Sequence, residues 1–249
     1  MNRYAVLVGL GAALGLWQVI QTAPPALAAR RARQGLALLL GGLLGARLGY
    51  VLLHFAYYRQ HLLEAPQLWL GGLYWPGALA GALLALPVIA RASGERLVVL
   101  ADGLTPLLPP FTILVWLACW TAGCAYGIHT QGAWWGLPAA DETGVVARRL
   151  PLQVLAALTL ALMYGALELR LPPAPAILAG EKACLTLLAL MTHTFLFSLL
   201  RADPTLRWLG LRADSWAALA FALPALAGWI ILRLRLGKIE SPPPKTEEH

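Results

Sequence analysis

Residues 97–127 read LVVLADGLTPLLPPFTILVWLACWTAGCAYG. The first two dozen residues are long and apolar enough to cross hydrocarbon, which takes about 20 residues. Yet Asp102, Gly103, Pro106, Pro109 and Pro110 crowd into the first half. Proline removes a backbone donor and frees a carbonyl, so the pattern predicts a broken helix. Broken helices at membrane depth are tolerated where protein buries them or where they line a wet cavity. The second half, VWLACWTAGCAYG (115–127), holds small and aromatic residues but no acid, base or cation. Small residues let a second helix or a flat ligand approach the backbone.

The rest of the chain has the same character. Its 249 residues are 59% hydrophobic and 12% charged, with a mean hydropathy of +0.67. A soluble domain carries about 25% charged residues. Apolar segments of spanning length recur at 4–20, 35–54, 68–90, 97–120, 151–169, 174–200 and 215–232. The fold class is therefore all-α: a polytopic membrane bundle of about seven helices, broken near 71–77 (Gly71–Gly72 and Pro76–Gly77) and 102–110. Residues 1–238 form a single transmembrane domain, and 239–249, with its polar SPPPKTEEH, form a tail expected to be disordered. The two interruptions together predict an internal cavity open to the outer side.

Seven crossings put the termini on opposite sides. Arg30, Arg31, Arg33, Arg91, Arg96 and the C-terminal cations share one of them. The positive-inside bias makes that side cytoplasmic, with the N-terminus outside. The net charge of +7 thus reflects orientation and contact with anionic headgroups, and no nucleic-acid-binding module is recognisable. Residues 1–29 also resemble a signal peptide, but the Pro24–Pro25 pair and the long apolar run fit a retained span better.

Charge within hydrocarbon is costly and usually purposeful. Arg47 and Asp102 fall mid-span, and two readings stand side by side: a buried ion pair or a functional pair. Glu181 and Lys182, near a span end, read as snorkelling side chains. The 127–150 loop carries His129, Trp134, Trp135, Asp141, Glu142, Arg148 and Arg149. Trp134–Trp135 fits an interfacial anchor, and a guanidinium before the next span is suited to a lipid phosphate. Cys119 and Cys124 lie on different faces of a continuing helix, so they read as packing residues rather than a dithiol. The scattered histidines give no metal-ligand spacing, and no nucleotide loop occurs. No metal or cofactor is expected.

Taken in order, the fragments resemble the prolipoprotein diacylglyceryl transferase family. The stretch 101–127 aligns without a gap to ADxxxPxxPxxxxxGRxGxFxxGxxxG. WLGGLYWPGALAG (69–81) is similar to W-x-G-G-x-x-x-H-G-G-x-x-G, and GARLGYVLLH (45–54) to G-x-R-x-G-Y-V. RLPLQ (149–153), FLFSLLRADP (195–204) and the Tyr-led YAVLVGLGAALGLW (4–17) resemble further family segments.

The resemblance implies a seven-helix inner-membrane bundle open laterally to lipid. Family enzymes move the diacylglyceryl group of phosphatidylglycerol to a lipobox cysteine thiol. That chemistry needs cations for the leaving phosphate and help in deprotonating a thiol of pKa about 8.5. By the same resemblance, Tyr4, Arg47, Asp102, Gly127, Arg149, Pro151, Gln153 and Arg201 persist. The family's catalytic slots are occupied by Pro76, Trp116, Cys119, Cys124, Thr194 and Ser198. The expected function is a catalytically degenerate member that binds a phosphatidylglycerol-like phospholipid through Tyr4, Arg47, Arg149, Gln153 and Arg201. A membrane-protein partner is the second expected binder. The alternative is a divergent transferase using Arg149, Arg201 and Arg47, with Tyr4 or His129 assisting the thiol. A transporter built on broken helices is disfavoured by the absence of a detectable repeat.

Overall fold

The computed structural model describes residues 3–170 and 178–239. Seven helices among them are long and apolar enough to cross a membrane: Arg3–Thr22, Pro25–Leu53, Trp75–Ser93, Leu97–Ala122, Leu152–Arg170, Glu181–Leu200 and Ala213–Leu234. We call them the first to seventh spans. Their alternation puts the loops at 54–74, 123–151 and 201–212 at one end, the long-loop end. The turns at 23–24 and 94–96 lie at the other. Two short antiparallel ribbons sit at the long-loop end: Leu137–Ala140 with Val146–Arg149, and Arg207–Trp208 with Leu211–Arg212. The predicted start of the sixth span and the tail expected at 239–249 fall partly outside the described residues, and Ile239 still belongs to the helix that starts at Ala213.

Glycines set the closest contacts. In the second span Gly41, Gly45 and Gly49 repeat every four residues and face Gly77 and Gly81 of the third. A Cβ on Gly45 would lie 2.3 Å from the Gly77 carbonyl oxygen, and one on Gly81 2.4 Å from that of Gly41. Close backbone approach of this kind maximises dispersion contacts where no hydrophobic driving force acts between helices. The opposite face of the second span carries Leu36, Leu40, Leu44, Leu48 and Leu52, all more than half exposed. That stripe faces the surrounding hydrocarbon.

The predicted break in the fourth span is present. Helix runs from Leu97 to Leu104, a 3-10 turn covers Thr105–Leu107, and helix resumes at Leu108–Ala122. Pro106, Pro109 and Pro110 fall in first-turn positions, where a missing N–H costs little. The break is buried in protein. A Cβ on Gly15 of the first span would come within 2.7 Å of the Leu107 oxygen, and Val19, Leu100, Leu104 and Leu107 form one core cluster. The 71–77 interruption lies at a membrane entrance: Gly71 and Gly72 adopt φ +81° and +76° in the loop, and the third span starts only at Trp75. The larger of the two described cavities, about 460 Å³, opens toward the other end between Leu86, Val98, Ala183 and Leu232.

Two expectations about intramembrane charge are corrected. Arg47 and Asp102 are not partners. Asp102 accepts from the backbone N–H groups of Gly180 (2.6 Å) and Ala183 (2.8 Å), capping the sixth span from a neighbouring helix. Glu181 does not snorkel. It is 1% exposed, accepts from Trp229 Nε1 at 3.1 Å, and pairs with Arg233. The indole and guanidinium reach it because the seventh span packs along the sixth, so its burial is satisfied internally.

Candidate functional site

The family-like positions gather at the long-loop end, where the fourth span stops. Gly123 takes φ +68°, and its N–H together with that of Cys124 turns back toward the Cys119 carbonyl; the Cys124 bond is 3.1 Å. No other residue fits there, because a Cβ would sit 2.2 Å from the Asp141 oxygen. The reversal brings Cys124 back onto the helix end, and Cys119 and Cys124 form a disulfide with Cα atoms 4.7 Å apart. This overturns the packing-only expectation for the pair, which assumed a helix continuing past Ala122. A glycine at this position is a helix-stop signal and carried the information.

Beyond the disulfide, Ala125 adopts φ +54°, a left-handed conformation costing about 1–3 kcal/mol for a residue with a Cβ. Tyr126 and Gly127 follow, both buried. Gly127 bridges the backbone of Arg201 and His129 that of Arg149, so the strand 127–129 separates the two arginines.

Each retained polar residue has an internal engagement. Arg149 is 4% exposed; its Nη2 meets Asp141 Oδ2 at 3.1 Å and its guanidinium lies over the Tyr126 ring. Hydrogen bonds from Thr143 hold the Asp141 carboxyl below its usual range; burial opposes this, and the Val145 amide and the Arg149 charge add to the lowering. Burial, then the hydrogen bond and charge of Glu142, push the Tyr126 phenol up to about 12. Arg201 forks onto Asp203 (2.8 and 2.5 Å) and reaches Asp214 at 3.1 Å. Burial works against its charge, but those two acids raise its pKa above the ordinary value. Asp214 also accepts from Trp75 Nε1 at 2.8 Å.

Arg47 lies apart from this corner. Its guanidinium donates to the carbonyls of Glu64 (2.7 Å), Ala65 (2.6 Å), Gly71 (2.5 Å) and Gly72 (3.3 Å), fastening the 54–74 loop. Gln153, 1% exposed, donates to the Cys124 carbonyl at 2.8 Å. Tyr4 is half-buried near the start of the first span, which runs antiparallel to the fourth, so Tyr4 lies at the side where the fourth span ends. Among the described residues, Arg149 Nε and Gln153 Oε1 are buried without a hydrogen-bond partner, as are Nε and Nη2 of Arg212 beside Arg201 and Nδ1 of His193.

The slots that the resemblance assigns to catalysis hold no charge. Pro76 starts the third span, and Trp116 packs edge-on to His193 (6.3 Å) and Phe197 (5.9 Å) within an apolar cluster containing Leu160, Leu190 and Met191. Thr194 donates to the Leu190 carbonyl at 2.8 Å. Ser198 meets Ser215 at 2.7 Å. The acids Asp203 and Asp214 were missed in the sequence. The only signal was the spacing of two between Arg201 and Asp203.

A model of the family described as prolipoprotein diacylglyceryl transferase matches residues 1–231. Among curated relatives, the phosphatidylglycerol–prolipoprotein diacylglyceryl transferase of Bordetella avium is 42% identical over 71 residues, 28% of this chain and 27% of that protein. The enzyme of the same name from Oleidesulfovibrio alaskensis is 33% identical over 38% of this chain and 36% of its own. That of Cupriavidus metallidurans is 32% identical over 43% and 37%. The chain thus spans between a quarter and two-fifths of the length of the relatives it matches.

Proposed function

The chain belongs to the prolipoprotein diacylglyceryl transferase family, and on that premise we propose that it is a catalytically degenerate member that binds an anionic phospholipid at the Arg149–Gln153 corner. The observation that carries the reading is the pair of unsatisfied buried atoms, the Arg149 Nε donor and the Gln153 Oε1 acceptor. Each costs about 1–3 kcal/mol unpaired. A phosphoglycerol headgroup supplies both an acceptor oxygen and a hydroxyl donor. The relatives named above are transferases that use phosphatidylglycerol, which makes that headgroup the natural choice.

Degeneracy is supported by what surrounds the cations. Arg149 is matched by Asp141, and Arg201 shares Asp203 and Asp214 with the buried Arg212, so three acids balance three cations and little positive field is left for a leaving phosphate. Loss of one positioned stabiliser costs about 10²–10³ in rate, and loss of a general base about 10²–10⁴. The second reading, a divergent transferase, draws on the same two arginines, whose backbones flank 127–129. The orientation we propose puts the long-loop end outside, because a disulfide such as Cys119–Cys124 persists in oxidising compartments.

Purification in mild detergent, followed by mass spectrometry of co-purifying lipids and proteins, tests the binding role. The proposal expects anionic phospholipid retained by the wild type and depleted in Gln153→Ala and Arg149→Gln. Equal retention in all three would remove the assignment of this corner. Co-purification of a membrane protein would extend the role to that of a subunit.

A further inference from the structure

The disulfide occupies a mechanically consequential place. Cys119 and Cys124 are half-buried at the long-loop end, one residue before Ala125 at φ +54°. Unfavourable backbone conformations persist only where the surroundings over-determine them, and they recur at switch regions. Here the constraint acts from both sides. Upstream, the disulfide ties Cys124 to the end of the fourth span. Downstream, the Tyr126 carbonyl accepts from the Ala202 N–H at 2.8 Å, and Gly127 is bridged to Arg201. Between these anchors the Tyr126 ring covers the Arg149 guanidinium.

We propose that Cys119–Cys124 is a thiol–disulfide exchange site whose state sets whether Tyr126 covers the face of the Arg149 guanidinium or leaves that face, beside the Nε edge that the headgroup takes in either state, open to an anionic group. Only the identity of that group rests on the lipid-binding role proposed above. The co-reactant is a dithiol in the compartment facing the long-loop end. Its thiolate attacks one sulfur, the Cys119–Cys124 bond breaks, and the displaced cysteine leaves as a thiolate that takes up a proton. The second thiolate of the co-reactant then attacks the mixed disulfide. The dithiol departs as a disulfide, oxidised by two electrons, and both cysteines end as thiols. With the Sγ–Sγ tether gone, Cys124 keeps only its bonds to the Cys119 carbonyl and the Gln153 amide, and Ala125 relaxes toward negative φ and carries Tyr126 with it. Cys184 lines the apolar cleft at the other end and takes no part.

The test uses the full chain in phosphatidylcholine nanodiscs. Iodoacetamide under denaturing, non-reducing conditions should label Cys184 alone, and all 3 cysteines after dithiothreitol. Phenylglyoxal on the folded protein, quantified by peptide mass spectrometry, should then modify Arg149 about tenfold more after reduction, the scale of a cation–π contact. Arg47, held by its carbonyls, should not change. The doubly substituted Cys119→Ser, Cys124→Ser chain should behave like the reduced wild type. Ala125→Gly, which tolerates positive φ, should keep Arg149 covered after reduction. Labelling of all cysteines before reductant would overturn the exchange site. Equal Arg149 modification in both states, or a rise matched at Arg47, would overturn the coupling. Absence of anionic phospholipid from the detergent-purified chain in both redox states would count against the lipid-binding role alone.

Discussion

The guanidinium carbon of Arg149 stands 4.3 Å from the centroid of the Tyr126 ring. With Asp141 paired to its Nη2, this cation is neutralised within its own chain and covered on one face. In an active phosphate site the same side chain would face the substrate. The contact therefore bears on function as much as on stability.

Truncating the ring should be expensive. Tyr126→Ala removes a 6%-exposed aromatic and should cost about 3–5 kcal/mol. Tyr126→Phe keeps the ring over Arg149 and should cost about 1 kcal/mol, the net value of a hydrogen bond. Denaturation in mixed detergent micelles measures the difference. A Phe variant as unstable as the Ala variant would mean that the hydroxyl, not the ring, is the anchor.

The glycine seam makes a paired prediction. Gly45→Ala drives a Cβ to 2.3 Å from the Gly77 oxygen and should destabilise by about 1–3 kcal/mol through overpacking. Gly165→Ala meets nothing within 4 Å and should stabilise by about 0.5–1 kcal/mol. Thermal melts of the two variants should shift in opposite directions.

Arg47 should prove structural. Arg47→Lys cannot reproduce a planar fork onto four carbonyls and should cost about 1–3 kcal/mol for the groups left unpaired. Limited proteolysis should then cut the 54–74 loop faster, while phospholipid retention stays at the wild-type level. Loss of lipid with an intact loop would return Arg47 to the binding site.

The pH dependence follows from Asp141. Its folded pKa is depressed, so its contribution to stability is complete above the unfolded carboxylate value of about 4. It is lost as pH falls through the lower folded value. Asp141→Asn should therefore be less stable than wild type at neutral pH. The gap should narrow as pH falls below about 4 and close below the depressed folded value. A gap that closes at pH 5–6 would point to another group.

Much of the fold was legible in the sequence because membrane crossing imposes length and apolarity directly. The seven spans and the break near Pro106 were read that way. Side-chain partnerships were not, since they depend on which distant segments meet. Arg47 found the carbonyls of a loop some 20 residues on, and Asp102 found the start of a helix 78 residues away. The disulfide was missed for a different reason: Gly123 was read as a small packing residue when it was also the residue that ends the helix. The resemblance named the site residues only as positions in the chain. Their neutralisation by Asp141, Asp203 and Asp214 needed the three-dimensional arrangement.

The most direct measurement is transfer itself. The purified chain, reconstituted in vesicles containing labelled phosphatidylglycerol, is given a lipobox peptide with its cysteine thiol free. The account predicts label on the peptide no higher than in protein-free vesicles. Label accumulating over many turnovers, and abolished by Arg149→Ala, would contradict it.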